Sequence, residues 1–410
     1  MKLNRLSIYL QRPESNRTLY VLLLIATPFL LLQNYLQPFI GSLSEQNFTL
    51  YHFDIPYILL VAFIITLLIM IAFRKHMTIK KLIGWGIVLV FFWIGQKSTD
   101  YYFNHDFYEL QYNWHYFAYS IFAFLNYRVL KVRKTDDARL IFSTFLYAMV
   151  VSTFDELIQI PLSNRIFDLG DIAKDLWGTV IGLFILFFIV ENGRVFADST
   201  PWSSATLKGY FGQPKSAFLI ITLFAWVFMI TSSVLTDSSL VAQAIVISVT
   251  GAVVLLLIIH LLTKKSSRKW VIGLLSAIII TQLVVFYTHR HKGITYCMNK
   301  TLVYNGIPLP YFDVIIYPDG WFRLADKKRT FSQRDIQTIK AFSENILIIG
   351  TGSELSTNIG FPKDEISQFV FNINTNIGLQ VITLDNVSAC QKFNQLRQEG
   401  KKPTLILHHD

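Results

Sequence analysis

Long apolar runs separated by short charged loops fill the chain up to about residue 290. They lie near 19–32, 55–73, 81–97, 114–131, 138–157, 174–192, 217–235, 240–262 and 270–287. Crossing ~30 Å of hydrocarbon takes roughly 20 apolar residues, so the pattern predicts about nine membrane spans. The first run follows Lys2, Arg5, Arg12 and Arg17, as in a signal peptide. It lacks a small-residue cleavage site and leads into further spans, so it reads as a retained helix. From about Ile294 the rhythm changes. Short β-rich runs, Phe312 to Tyr317, Ile346 to Ile349 and Leu379 to Leu384, alternate with helix-like stretches at Ser332 to Phe342 and Val387 to Glu399, the latter stopped by Gly400. Strands alternating with helices predict a small α/β sheet. The expected fold class is mainly α, a polytopic bundle with a C-terminal α/β domain. Its expected divisions are 1–195, a polar connector at 196–216, further spans in 217–292 and the terminal domain at 293–410.

Composition supports this. The 410 residues are 52% hydrophobic and only 16% charged, against roughly 25% charged in soluble domains. The net charge of +10 raises nucleic acid as a partner, but the basic residues sit at span ends, so no nucleic-acid partner is expected. Arg74, Lys75, Lys80 and Lys81, then Lys131, Arg133, Lys134 and Arg139, then Lys264, Lys265, Arg268 and Lys269 share one side if the spans alternate. That side is the cytoplasm. An odd span count then puts the carboxyl terminus outside. Two cysteines exclude a disulfide-stapled scaffold and a Cys-rich metal site.

Ionisable residues concentrate at the expected outer span ends, where desolvation makes them expensive to keep without a role. His115, Tyr119 and Phe122 share a helical face. Asp155, Glu156 and Gln159 end the next span, followed by Pro161 and Arg165. Asp168 leads into a stripe of Asp171, Asp175, Gly178 and Gly182, whose glycines allow a neighbouring helix to approach. Carboxylates can hold a divalent cation or act as general base, Arg165 can grip an anion with a bidentate fork, and His115 can carry a proton. The expected roles are His115, Asp155, Glu156 and Asp171 in catalysis, Tyr119, Gln159 and Arg165 in substrate binding, and Asp168 and Asp175 in metal binding. Mutual charge satisfaction of the same groups is the competing structural reading.

At these residues, over roughly 80–195, the sequence resembles the VanZ-like membrane family. The chain departs from the family pattern at Gln111 to Asn113, where an acidic residue is usual, and at Asp175, where Asn is usual. The resemblance implies a plasma-membrane protein of the cell envelope, associated with low-level teicoplanin resistance, whose outward site meets a membrane lipid head group or a lipid-linked precursor. It leaves open whether the chain is an enzyme.

Residues from about 295 to 410 resemble the Mth-like α/β family, which includes mitochondrial complex I assembly factor 3. The residues that carry this are Asp313-Val-Ile-Ile, Tyr317-Pro-Asp-Gly320, Ile348-Ile-Gly-Thr-Gly352, Ser388 to Leu396 and Glu399-Gly-Lys401. This resemblance implies a protein-contact role, and with it the alternative of a membrane-anchored assembly protein with a protein partner for its terminal domain. A proton-coupled transporter ranks last, because acidic residues deep in the spans are few. Within the terminal domain, Gly350-Thr-Gly352 reads as a tight turn, Asp319-Gly320 as a hairpin turn, Cys297 and Cys390 as inert thiols, and His408 and His409 as a frayed tail.

Overall fold

The computed structural model describes residues 12–27, 39, 41–43, 46–50, 53–61, 63–64, 78–99, 110–161, 167–197, 206, 208–235, 240–298, 300–325, 346–352, 366–372 and 377–409. The chain divides into two compact units, with the boundary at Lys265/Ser266.

In the first unit, α1 (Pro13–Ala26) precedes a small antiparallel hairpin, β1 (Asn47–Leu50) and β2 (Phe53–Pro56). Then come α2 (Ile79–Thr99), α3 (Leu110–Val132), α4 (Asp137–Gln159), α5 (Leu169–Phe184, continued as a π-helical turn Ile185–Val190), α6 (Pro214–Val234) and α7 (Val241–Thr263). Helices suit these apolar sequences because lipid offers the backbone no hydrogen-bond partner, and a helix satisfies its own. Six helices among the described residues are long and apolar enough to cross a membrane: α2, α4, α5 with its π turn, α6, α7 and, in the second unit, α8 (Lys265–His289). They coincide with six of the expected spans, which makes the chain a multi-pass membrane protein. Over the expected 114–131 span lies α3, which is helical but more polar than the six. The expected spans near 19–32 and 55–73 extend beyond the described residues.

Helix α5 is the axis of this unit, with 83% of its apolar window buried against its neighbours. Glycine sets the spacing. A Cβ on Gly178 would lie 2.9 Å from the backbone of His115 and Tyr116, and one on Gly182 would lie 2.7 Å from that of Ser120. Real side chains do not fit there, so α3 and α5 touch backbone to backbone, and Ser120 donates to the Gly178 carbonyl at 2.9 Å. On another face, Gly95 of α2 makes room for the Trp177 indole, which donates to the Phe91 carbonyl at 2.8 Å. One end of the bundle is tied by ion pairs. Arg194 grips Asp137 with both terminal nitrogens at 2.8 Å, and Lys131 meets Glu191 at 2.9 Å.

The second unit holds α8 and the β-rich remainder. Helix α8 belongs with this unit, and the turn at Gly306 packs on its final turns. A three-stranded antiparallel sheet comes first, β3 (Ile294–Met298), β4 (Thr301–Tyr304) and β5 (Ile307–Pro310). A six-stranded sheet follows, with β6 (Asp313–Ile316), β7 (Phe322–Ala325), β8 (Ile346–Thr351), β9 (Ile366–Asn372), β10 (Ile377–Leu384) and β11 (Thr404–His408) in the order β7-β6-β11-β8-β10-β9. β8 runs parallel to β10 and β11, and the other pairs are antiparallel. Helix α9 (Asn386–Gln398) crosses over between β10 and β11, capped by Asp385 and stopped at Gly400 in the left-handed region (φ +82°).

Two expectations for this unit are corrected. Cys297 and Cys390 are not separate thiols but a disulfide, because α9 lays its apolar face on β3 and brings together sulfurs 93 residues apart. His408 and His409 are not a frayed tail. Both are buried at the end of β11 in the sheet interior, where His408 pairs with Asp313 and the His409 amide donates to the same carboxylate at 2.8 Å. The Asp319-Gly320 turn is as expected, with Gly320 at φ +89° and Asp319 accepting from the Trp321 amide. The expected helix at Ser332 to Phe342 lies outside the described residues.

Candidate functional site

Three helices bring ionisable groups to the end of the first unit opposite the Lys131–Glu191 and Arg194–Asp137 pairs. The amino end of α3 supplies His115 and Tyr119, the carboxyl end of α4 supplies Ser152, Asp155, Glu156 and Gln159, and the amino end of α5 supplies Asp168, Asp171, Lys174 and Asp175. The helical periods decide this. On α5 the positions 171, 174, 175 and 178 fall on one face, and Gly178 draws that face against the first turns of α3.

Asp175 is the buried hub, 3% exposed. One oxygen meets His115 Nδ1 at 2.8 Å and the other accepts from Ser152 Oγ at 2.6 Å. A carboxylate this deep is tolerable only because both oxygens are bonded. Holding Nδ1 fixes the imidazole plane, so Nε2 points to Asp171 Oδ1 at 3.5 Å. Asp171 Oδ1 also accepts from Lys174 Nζ at 2.9 Å. The side chains of His115, Asp171 and Lys174 are each about a quarter exposed, so they form a mouth over the buried Asp175 and Ser152. Beside that floor the Tyr119 hydroxyl is buried and makes no hydrogen bond of normal geometry, although Ser152 and Asp175 lie nearby.

Glu156 is buried, accepts from the Asp168 amide at 3.0 Å and pairs weakly with Gln159 Nε2 at 3.4 Å. It thereby clips the end of α4 to the start of α5. It also feels the charges of Asp171 and His115. Asp168 caps α5 by accepting from the Gly170 amide at 2.8 Å. Asp155 acts on Tyr119 electrostatically.

Of the residues expected from sequence, His115, Tyr119, Glu156, Asp171 and Asp175 thus gather in one neighbourhood, with Asp155, Gln159 and Asp168 at its edge. Arg165 lies outside the described residues. No group of three His, Cys, Asp or Glu side chains among the described residues is arranged to hold a metal ion. Asp168 accepts at its helix cap with one oxygen, and Asp175 engages His115 and Ser152 with its two. Sequence reasoning missed Lys174 and Ser152. The signal for Lys174 was available, since a Lys three residues after Asp171 on an apolar helix stands on the same stripe. Ser152 carried none, as a Ser inside a span is ordinary.

Chemically, the arrangement is an Asp–His dyad with one imidazole nitrogen directed to a partly open mouth, an ammonium beside it, and carboxylates around both. It can move a proton at His115 Nε2 and meet an anion with Lys174. Comparison with protein-family models, curated proteins and solved structures returned no match.

Proposed function

We propose that this multi-pass membrane protein binds the head group of a phosphate-bearing or lipid-linked molecule at the outer surface of the plasma membrane, through a VanZ-like domain of the cell envelope. The observation that carries the reading is the mouth of His115, Asp171 and Lys174 over a buried, hydrogen-bonded floor. An entering phosphate takes Lys174 Nζ from Asp171 and meets His115 Nε2, while the carboxylates of Glu156, Asp155 and Asp168 favour a head group that also carries ammonium or hydroxyl groups. Its chemistry is therefore amphoteric rather than purely anionic. His115, oriented by Asp175, is the group that would carry a proton if the head group is modified.

The reading retains nine spans, with the basic loops inside and the carboxyl terminus outside. Its test uses cells lacking the protein and complemented with wild type, His115→Ala or Lys174→Ala. Envelope lipid composition and teicoplanin tolerance are expected to return with wild type and with neither variant. Full complementation by both variants would overturn it.

A second reading is a membrane-anchored assembly protein acting through an Mth-like terminal domain. It is favoured by Trp321, 76% exposed at the β6–β7 turn, since an exposed Trp is a common anchor in protein contacts. Trp321→Ala separates the readings: loss of complementation there, with the His115 and Lys174 variants normal, selects the second.

A further inference from the structure

The three-stranded sheet β3-β4-β5 has two unlike faces. Register pairs Ile294 with Tyr304, Cys297 with Leu302, Leu302 with Leu309 and Tyr304 with Ile307, and all six of these residues pack into the core of the terminal domain. The other face presents Tyr296, Met298, Thr301, Val303, Pro308 and Pro310, alternating with the buried set. None of the six is charged. Tyr296 and Met298 are 43% and 56% exposed. The sheet is held in place from behind, where the Cys297–Cys390 disulfide and the Asn394 side chain, bonded to both the amide and the carbonyl of Ile294, fasten β3 to α9.

Its edges are blunted. β5 carries Pro308 and Pro310, which lack an amide hydrogen, and β3 has an irregularity between Ile294 and Tyr296. Strand addition by another chain is disfavoured at both, so the face is the surface on offer.

The hairpin tip fixes where that face lies along α8. Gln282 Nε2 donates to the Gly306 carbonyl at 3.0 Å, and a Cβ on Gly306 would be 2.8 Å from the Val285 carbonyl oxygen and 3.0 Å from His289 Cβ. Gly306 adopts φ +78° there, so a residue without a side chain is needed twice over. Helix α8 is apolar and has no buried residue, as a helix bathed in lipid would. Near its end Tyr287 is 67% exposed and the Arg290 guanidinium stacks on its ring at 4.4 Å, a pairing suited to the head-group level. Gln282 precedes Tyr287 by five residues, about 7 Å of helix rise. The β4–β5 tip therefore reaches at least as deep as the head groups.

We propose that the uncharged face of β3-β4-β5 docks on the surface of the same bilayer that α8 crosses, with Tyr296, Met298, Val303 and Pro308 seated at the boundary between head groups and acyl chains. The occupant is lipid, and Arg290 and Lys292 beside it favour anionic lipid. This holds the terminal domain flat on the membrane rather than on a loose tether.

The test uses the full chain reconstituted in liposomes of phosphatidylcholine and phosphatidylglycerol with bromine on the upper acyl chain. An environment-sensitive fluorescent amino acid is placed at Val303 or Pro308, and at Gln398 on the exposed side of α9 as control. Bromolipid is expected to quench emission at least twofold at Val303 or Pro308 and to leave Gln398 unchanged. Met298→Glu is expected to reduce quenching at Val303 while a label at Tyr287 stays quenched. Equal quenching at Val303 and Gln398, or protection of Val303 that grows with protein density as a second copy covers it, would overturn the proposal.

Discussion

At the residue scale the helices of the first unit meet in close contacts that tolerate little change. Gly182→Ala puts a methyl 2.7 Å from the Ser120 backbone, and overpacking of this kind costs about 1–3 kcal/mol. Gly86 lies on the same type of apolar helix with nothing within 4 Å of its Cβ position, so Gly86→Ala is expected to be neutral or to gain about 0.5–1 kcal/mol. Thermal unfolding in detergent should separate them, and equal Tm values would refute the backbone contact of α3 with α5. A second prediction concerns Glu191, just past the end of α5. Burial pushes its carboxyl up, but hydrogen bonds from Tyr127, Lys131 and Arg194 outweigh this and hold it below the ordinary 4.5. A depressed carboxylate stabilises the fold fully above its unfolded value, and this contribution is lost as pH falls through the lower folded value. Wild-type Tm should therefore fall more steeply below about pH 4.5 than that of Glu191→Gln. Parallel curves would count against the pairing. Much of the site was legible at this scale. His115, Asp171 and Asp175 follow from helical spacing alone, whereas Ser152 does not, because its role exists only through the Asp175 oxygen that faces it across two helices.

At the element scale, six of the expected spans match helices because a long apolar run has one good solution in lipid. Helix α3 is less apolar where it supplies the buried Asn113 and Asn126 to the bundle interior and His115 to the mouth. What the sequence could not reveal was pairing at a distance. Cys297 and Cys390 look inert in isolation, and only the packing of α9 on β3 joins them. Closing a loop of this length is worth about 2–5 kcal/mol, so Cys297→Ser should lower the unfolding free energy of the terminal domain by that amount, read from the shift of its denaturation midpoint. Reduction of the wild type should produce the same shift and no shift in the variant. Similarly, the two terminal histidines read as a tail until β11 is seen between β6 and β8, with Asp313 opposite.

At the scale of the whole molecule, two independent features agree on orientation. Disulfides persist in oxidising compartments, and Lys264, Lys265, Arg268 and Lys269 make the start of α8 the expected cytoplasmic end. The carboxyl-terminal strands are therefore expected outside. In intact cells treated with a mild reductant, a membrane-impermeant maleimide should label the chain, whereas labelling only after lysis would reverse the topology. Under the proposed topology the site at His115 is expected on the outer side, at the bundle end opposite Lys131 and Arg194. The most direct measurement of the central claim is equilibrium binding by the full chain in nanodiscs of a polyprenyl phosphate and of phosphatidylethanolamine, compared with phosphatidylcholine. The account predicts saturable binding of at least one of the first two, weakened about tenfold or more by Lys174→Ala and by His115→Ala, in line with about 1.4 kcal/mol or more for a charge-assisted contact. Binding that is absent, or unchanged in both variants, would contradict it.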